Sequence, residues 1–478
     1  MLWPLGAAMV AAGLPALASG IIGAYSGEPE GRMLLVSGLL LTLLGFALYR
    51  RFYTRIRMHE AIISTVAIWI LTPLMGSLPY LILHIPLVDA VFESVSAWTT
   101  TGLTIFTGGY DGGLYVPMVE ELPESFKWLR TLTQWEGGLG IVVFTVAVLA
   151  PPGVSVAVLY LAEGKFERLE ASLKRTAMLM GWIYVVLTLI AFVLFYAAGM
   201  PAVDALHHAM TGVATAGFST HSESLGYYHT LPVLAAGMVV VMLGAVSFND
   251  HYNILRLRLG RLRESVELRA QLALLALFSL AGLALWIRDP VLQEAMEPVD
   301  VVFNIVSTSA TAGFQSTSLA PADPGYKMLL AIASLIGGSA FSTAGGIKVL
   351  RVLVALKAVA MEASMAVHPT GYKPNRRLGK YVLDEDLLLK TLATTAAMLV
   401  AYTLLTIAMI IAVPGYSLED VMLEVASAMG NVGVSSGITS ATAPTSAKII
   451  LIAAMLLGRL EVITYIMALH GVARELLG

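Results

Sequence analysis

Residues 204–217 read DALHHAMTGVATAG, and the same frame returns three more times: DAVFESVSAWTTTG at 89–102, DVVFNIVSTSATAG at 300–313 and DVMLEVASAMGNVG at 420–433. In each copy an Asp is followed thirteen residues on by a Gly, and seven residues on by a small hydroxyl, namely Ser96, Thr211, Ser307 and Ser427. With glycine at 43 of 478 positions, four such coincidences have a chance probability on the order of one in ten thousand, so the segments are copies of one unit. The contexts of the four glycines agree too, reading TTTGLT, ATAGFS, ATAGFQ and GNVGVS.

What surrounds the copies is apolar. The chain is 57% hydrophobic and only 13% charged, about half the charge of a soluble domain. Apolar runs of the roughly 20 residues needed to cross a bilayer core recur throughout. They predict about ten spans, centred near residues 13, 41, 72, 139, 187, 242, 278, 337, 400 and 459. The first run, Leu2 to Ala24, lacks a basic leader and is followed closely by a second, so it reads as a retained helix. The segments between spans alternate in charge. One kind carries Arg50, Arg51, Arg55 and Arg57, then Lys165, Arg168, Lys174 and Arg175, then Arg256, Arg258, Arg261, Arg263 and Arg269, then Lys373, Arg376, Arg377 and Lys380. The other kind carries Asp111, Glu120, Glu121, Glu124, Asp204, Glu223, Asp289, Glu294, Glu297, Asp300, Asp323 and Asp420. Basic loops stay in the cytoplasm, which predicts cytoplasmic termini and external acidic loops. The chain has no cysteine, which removes disulfides, thiolate metal sites and cysteine nucleophiles.

Each copy follows one span and precedes another. Its Asp stands where a short helix would begin and could satisfy free backbone N–H groups there. Eight to eleven helical residues cannot span, so the helix should enter from outside, stop near mid-membrane and return as extended chain. Such backbone is tolerated at that depth only if buried in protein or lining a watery cavity. The helix C-terminus, partly negative, favours a cation, and a glycine lets successive carbonyls turn inward. Four loops would offer rings of four oxygens able to replace a potassium hydration shell. Glycines that merely let helices pack closely are the alternative. The fold expected is an all-α polytopic membrane protein. It has four pseudo-repeats of helix, re-entrant pore helix with filter loop, and helix around one pore, plus two N-terminal transmembrane helices. The divisions fall at 1–57, 58–150, 151–260, 261–360 and 361–478.

Two further stretches interrupt spans. Residues 337–348 read GGSAFSTAGGIK, too rich in Gly and small polar residues for an unbroken helix. A phosphate-binding loop would need Ser or Thr after Gly-Lys, and here the order is Gly-Ile-Lys-Val. Residues 456–465 read LLGRLEVITY and place Arg459 inside the last span, where a charge costs at least about 2.5 kcal/mol unless it faces a cavity or a partner. Glu93, His208, Asn304 and Glu424 stand four residues after each Asp and read as helix-to-helix hydrogen bonders or as tuners of the external potential. The His207-His208 pair lacks companion ligands at metal-site spacing.

The four motifs, the 337–348 stretch and the 456–465 stretch together resemble the Trk/Ktr/HKT superfamily of potassium transporters, and the two extra N-terminal spans resemble its TrkH branch. The resemblance implies a selectivity filter formed by Thr100, Thr101, Gly102 and Leu103; Thr215, Ala216, Gly217 and Phe218; Thr311, Ala312, Gly313 and Phe314; and Asn431, Val432, Gly433 and Val434, with K+ as the bound and transported ion. Glycine at all four filter positions goes with potassium preference in that superfamily, and Ser at the first with sodium. The resemblance also implies an intramembrane gate made of Gly337, Gly338, Ser339, Ser342, Thr343, Gly345, Gly346 and Lys348, with Arg459 just below the filter. Family members work in the cell membrane as homodimers on a cytosolic ring of RCK-type nucleotide-binding subunits. This chain has no dinucleotide fingerprint, so that subunit would be a separate TrkA-like polypeptide. Neither a cofactor in this chain nor a nucleic-acid partner is expected. A sodium- or proton-coupled symporter is the alternative, for which few mid-membrane titratable groups stand out. An enzyme would need paired carboxylates, a Ser-His pair or metal ligands within the spans, and none is evident.

Overall fold

The computed structural model describes residues 3–52, 58–140, 173–369, 372–379 and 381–477. The boundaries expected at residues 57 and 150, and the basic residues Arg55, Arg57, Lys165, Arg168 and Lys380, lie outside these.

Two helices, α1 (Trp3–Tyr25) and α2 (Pro29–Phe52), form an antiparallel hairpin. Gly6 faces Gly45, Gly13 faces Gly38 and Gly23 faces Gly31, while Gly20 lies on the Leu35 backbone, and a Cβ on Gly6 would stand 2.5 Å from the Tyr49 nitrogen. Backbone therefore lies on backbone, the usual means of adhesion where solvent exclusion cannot drive packing.

The remaining chain runs four times through one plan. Repeat 1 is α3 (Met58–Ser77), the short α4 (Leu87–Trp98) and α5 (Glu124–Leu139). Between α4 and α5 lies a hairpin of β1 (Thr107–Asp111) and β2 (Leu114–Met118), in register Thr107 with Met118 and Asp111 with Leu114. Repeat 2 is α6 (Leu173–Ala197), α7 (Ala202–Val213), and α8 (Leu231–Ala245) bent into α9 (Phe248–Leu255). Repeat 3 is α10 (Val266–Arg288), a one-turn α11 (Pro290–Ala295), α12 (Pro298–Ser309), α13 (Pro324–Ile336) and α14 (Val349–Val367). Repeat 4 follows a small β3–β4 hairpin (Arg377–Leu378, Tyr381–Val382) with α15 (Glu385–Ala412), α16 (Leu418–Gly430), α17 (Thr445–Leu460) and α18 (Val462–Leu477). The protein is thus an all-α polytopic membrane protein, its only sheet among the described residues being these two hairpins.

Six helices are long and apolar enough to span, and two bent pairs, α8–α9 at 104° and α17–α18 at 88°, make eight. The other two expected spans fall where α5 reaches the edge of the described residues and where α13 and α14 are parted by residues 337–348. The short helices α4, α7 and α12 have 12 residues and α16 has 13, about 18 to 20 Å of helix, which stops short of crossing. Each is buried along nearly its whole length, as Phe92, Ala209, Phe303 and Leu423 at 0% exposure show.

One detail corrects the reading from sequence. The four Asp residues are not at the helix caps, which are Pro86, Pro201, Glu297 and Ser417, but three residues inside. Only Asp300 serves a free backbone group, accepting from the Glu297 N–H at 2.9 Å. Three of the four instead hold a basic side chain of the preceding repeat. His229 Nε2 is 2.9 Å from Asp300, Lys327 Nζ is 2.7 Å from Asp420, and Lys448 Nζ is 2.5 Å from Asp89 and 2.8 Å from Asp111. Asp204 accepts from the Tyr228 hydroxyl at 2.5 Å and from Thr220 at 2.8 Å. The pairs run from repeat 2 to 3, 3 to 4 and 4 to 1, so they tie the repeats together at three of the four junctions. A carboxylate in the first helical turn also suits the helix dipole.

Candidate functional site

The four glycine loops meet one another. Each begins with a left-handed residue, Thr100 (φ 56°), Thr215 (49°), Thr311 (54°) or Asn431 (52°), and two positions on comes a left-handed glycine, Gly102 (89°), Gly217 (80°), Gly313 (71°) or Gly433 (101°). The intervening N–H reaches back five residues, from Thr101 to the Ser96 carbonyl, Ala216 to Thr211, Ala312 to Ser307 and Val432 to Ser427, at 2.8 to 2.9 Å. The hydroxyl position of the repeat is therefore the carbonyl that receives this bond. Its side chain adds a bond to the loop in two copies, from Thr211 to the Phe218 carbonyl (2.8 Å) and from the Gly433 N–H to Ser427 (3.0 Å).

A Cβ on Gly102 would collide with the Ala216 carbonyl oxygen, one on Gly217 with that of Ala312, one on Gly313 with that of Val432, and one on Gly433 with that of Thr101. Repeat 1 thus abuts 2, 2 abuts 3, 3 abuts 4, and 4 abuts 1, each through the carbonyl just before the next glycine. Leu103, Phe218, Phe314 and Val434, which follow the glycines, are buried. The divergent fourth loop fits because Asn tolerates the left-handed region, and the Asn431 amide donates to Thr101 Oγ1 (3.0 Å) and to the Met455 carbonyl (2.9 Å).

Beneath this ring lies the 337–348 segment, turned by Gly337 (φ 72°), Gly346 (76°) and Lys348 (81°). Thr343 Oγ1 donates to the Val213 (3.0 Å) and Gly244 (2.9 Å) carbonyls and accepts from Thr215 Oγ1 at 3.2 Å, and the Gly345 N–H donates to Thr311 Oγ1 at 2.8 Å. Ser339 donates to Gln271 (3.1 Å), Ser342 to the Ser339 carbonyl (2.7 Å), and the Ala340 N–H to Glu267 (2.7 Å). A Cβ on Gly338 would press on Ala344, and Lys348 Nζ donates to the Ala344 carbonyl. Arg459 joins the same layer, donating to Thr100 Oγ1 at 2.8 Å and to the Gly137 carbonyl at 2.5 Å while lying 5.2 Å over Trp69. Its neighbour Glu461 turns away to Arg351 (2.7 Å). The left-handed residue of every loop is therefore tied on its lower side, Thr100 to Arg459, Thr215 and Thr311 to the 337–348 segment, and Asn431 to α17.

Several contributors escaped the sequence. The helix after every loop ends at this same layer, at Gly140, Val246, Gly337 and Glu461, whereas sequence composition marked only the third. Of Glu93, His208, Asn304 and Glu424, expected to bond helix to helix, Glu93 does so, accepting from Arg130 of α5. Each grips its own loop just past the glycine: Glu93 takes Thr104 (3.0 Å) and the Ile105 N–H (3.2 Å), His208 pairs with Ser219 (2.9 Å), Asn304 accepts from the Ser316 N–H (3.2 Å), and Glu424 takes Ser435 (2.9 Å) and the Ser436 N–H (2.9 Å). Arg130 was missed altogether. Its guanidinium is 2.7 Å from Glu93, donates to the Ser219 carbonyl at 3.1 Å and stacks 4.0 Å from Phe218, so one buried cation braces the loops of repeats 1 and 2. Further out, partial burial pushes the Glu120 carboxyl up. Donors from Ser222, its N–H at 2.6 Å and hydroxyl at 2.8 Å, outweigh this and hold Glu120 below its ordinary value.

A bundle of spanning helices whose four short helices close a ring of backbone carbonyls belongs to the class of membrane transport proteins. Comparison supplies the family: residues 35–285 and 290–471 match TrkH, the cation transport proteins, and the chain belongs to that family, which makes it a transporter and not an enzyme. It is 31% identical over 464 residues to an uncharacterised cation transporter of Methanocaldococcus jannaschii, covering 96% of this chain and 92% of that one. It is 32% identical over 426 residues to the Trk system potassium uptake protein TrkH of Halomonas elongata, covering 86% and 85%. The crystal structure of the potassium transporter TrkH from Vibrio parahaemolyticus superposes with a TM-score of 0.80 at 27% identity, over 97% of this chain and 98% of that one.

Proposed function

We propose that this chain carries potassium into the cell through the ring of four loops, in the manner of a gated channel. The observation that carries the reading is the closed succession of contacts from Gly102, Gly217, Gly313 and Gly433 to the carbonyls of Ala216, Ala312, Val432 and Thr101. Stacked rings of carbonyl oxygen stand in for the water around a bare monovalent cation, and the C-terminal ends of α4, α7, α12 and α16 add negative potential there. Thr100, Thr101, Gly102 and Leu103 with their counterparts in the other repeats are the filter residues in this reading. The relatives named for potassium uptake support the choice of ion. The chain divides into an N-terminal pair and four pore repeats at the boundaries given above, lies in the cell membrane with basic loops and both termini in the cytoplasm, and forms a homodimer regulated by a separate nucleotide-binding subunit; the naming of its relatives as proteins of a Trk system supports the existence of partner proteins. Expression in a bacterium lacking its own potassium uptake tests the function, with and without a candidate regulatory subunit. Growth at low potassium is expected, and failure of a membrane-inserted protein to restore it would overturn the reading.

Residues 337–348 are the gate in this proposal, since they fill the space under Thr215 and Thr311. Deleting three residues between Gly337 and Gly346 is expected to raise basal potassium flux severalfold in proteoliposomes. A folded deletion variant with unchanged or lower flux would make the segment a packing element only.

Arg459 is the positive charge at the inner end of the path. It donates to Thr100 and to the Gly137 carbonyl, and a guanidinium at that place repels an ion leaving the filter. Arg459→Ala is expected to leave a folded protein with higher flux or weaker selectivity. A strongly destabilised protein whose surviving fraction conducts like wild type would instead mark a structural role.

A further inference from the structure

α5 carries a carboxyl group that nothing above uses. Glu136 is 6% exposed, its Oε1 has no hydrogen-bond partner, and no cation of the described residues lies within ion-pair distance. The other buried carboxylates of the described residues are provided for: Glu93 has Arg130, Asp89 has Lys448, Asp300 has His229, Asp250 has Ser265, Glu424 has three hydroxyls and two N–H groups, and Glu267 holds the Ala340 N–H. Glu136 lies twelve residues into a helix that starts at Glu124, about 18 Å along it and so past the middle of a core about 30 Å thick. The next residue is Gly137, whose carbonyl receives Arg459 and whose Cα is pressed so closely against the Trp98 carbonyl that a Cβ would not fit. Glu136 is therefore one peptide from the link that runs from Thr100 through Arg459 to α5.

An unpaired carboxylate in such surroundings costs far more than the neutral acid, so the group holds a proton unless a cation comes near. Among the described residues the helices packed against α5 supply no ion-pair partner, and Arg459 of α17 directs its guanidinium to Thr100 and the Gly137 carbonyl. α1 carries only Tyr25, at its far end, and the charges of α2 (Glu30, Arg32, Arg50 and Arg51) are at its two ends. On α4, Asp89 and Glu93 are paired as above, and on α6, Lys174 and Arg175 open the helix while the Tyr184 hydroxyl donates to the Trp135 carbonyl. On α7, Asp204 and His208 are bonded to Tyr228 and Ser219, and His207 meets α5 nearer its start, at Thr131 and Glu124.

We propose that Glu136 is a proton-binding site linked to the cation in the filter. The proposal rests on the filter assignment above. When potassium occupies the inner end of the filter, its charge offsets the cost of an ionised Glu136; the carboxyl O–H breaks, the proton passes to water and one potassium takes up the charge. Linkage is reciprocal, so protonation of Glu136 weakens potassium binding by the same factor.

The test uses the purified full chain in weakly buffered detergent solution with a pH indicator, to which potassium chloride or choline chloride is added. Thermal melting in the same salts reports whether potassium binds. Wild type is expected to release protons with potassium but not with choline, and its apparent potassium affinity should rise about fivefold from acid to alkaline pH, the low end of coupling between sites. Glu136→Gln, a neutral near-isostere, and Glu136→Leu should bind potassium without releasing protons and lose the pH dependence, while Glu136→Asp should retain both. If potassium raises the melting temperature but wild type releases no protons, or Glu136→Gln releases as many, the inference is wrong. If potassium shifts no melting temperature at all, the filter assignment fails and the inference falls with it.

Discussion

Gly102→Ser is expected to lower potassium flux about tenfold and to let sodium compete. A residue with a side chain held at a left-handed φ outside its preferred geometry costs on the order of 1 to 3 kcal/mol, and about 1.4 kcal/mol is already a factor of ten in occupancy of the correct conformation. The φ at Gly102 is 89°. Strain is the smaller part of the effect, because the new Cβ would meet the Ala216 carbonyl oxygen and then the Gly217 Cα at 3.5 Å. Those are backbone atoms of the neighbouring loop, which cannot swing aside as a flexible side chain would, so the carbonyl ring must distort. Paired potassium and sodium flux measurements in proteoliposomes check this. Unchanged rate and selectivity in a folded Gly102→Ser protein would remove the residue from the ion path.

Arg130→Ala is expected to cost most of the folded protein. Glu93 is fully buried and its charge is matched by this guanidinium; removing one partner of such a pair strands the other at a cost of about 3 to 5 kcal/mol. The loss is compounded by the bonds to Ser219 and Thr104 and by the face of Phe218, all on the outer strands of two filter loops. Monodisperse yield and melting temperature in detergent should fall sharply. The double variant Arg130→Met with Glu93→Gln should recover much of the stability, since it leaves no unpaired charge, yet lose selectivity because loops 1 and 2 are no longer braced together. If the single variant melts with wild type, the pair is not what holds these loops.

The same pair shows where reading from sequence stops. Glu93 is visible as one of four residues at a fixed offset within the repeat, but its partner is 37 residues away on α5, and no local pattern marks Arg130 among the charges of an acidic loop. Lys327 and Lys448 are alike in this respect. Each is the fourth residue of an apolar helix, a placement that hints at a buried cation, but which Asp it meets depends on the order in which the repeats close around the axis. The offset of the Asp itself was misread by three residues because Pro86 and Pro201 start their helices with no side-chain cap to announce them.

Spacing and composition alone determine that this chain is a membrane protein, that it has four equivalent re-entrant units, which glycines end them, and that residues 337–348 break a helix. These are local properties: hydrophobic length, glycine dihedral freedom and repetition act within a few turns of chain. The tertiary structure alone decides that each loop rests on the carbonyl of the next, that all four following helices end at one level, that the left-handed Thr or Asn of each loop is tied to the layer below, and that Glu136 is left without a partner. The reason is that these features depend on how segments distant in sequence come together, and within the membrane such contacts are selected by shape and by the need to satisfy buried polar groups. Neither condition can be evaluated before the repeats are brought together.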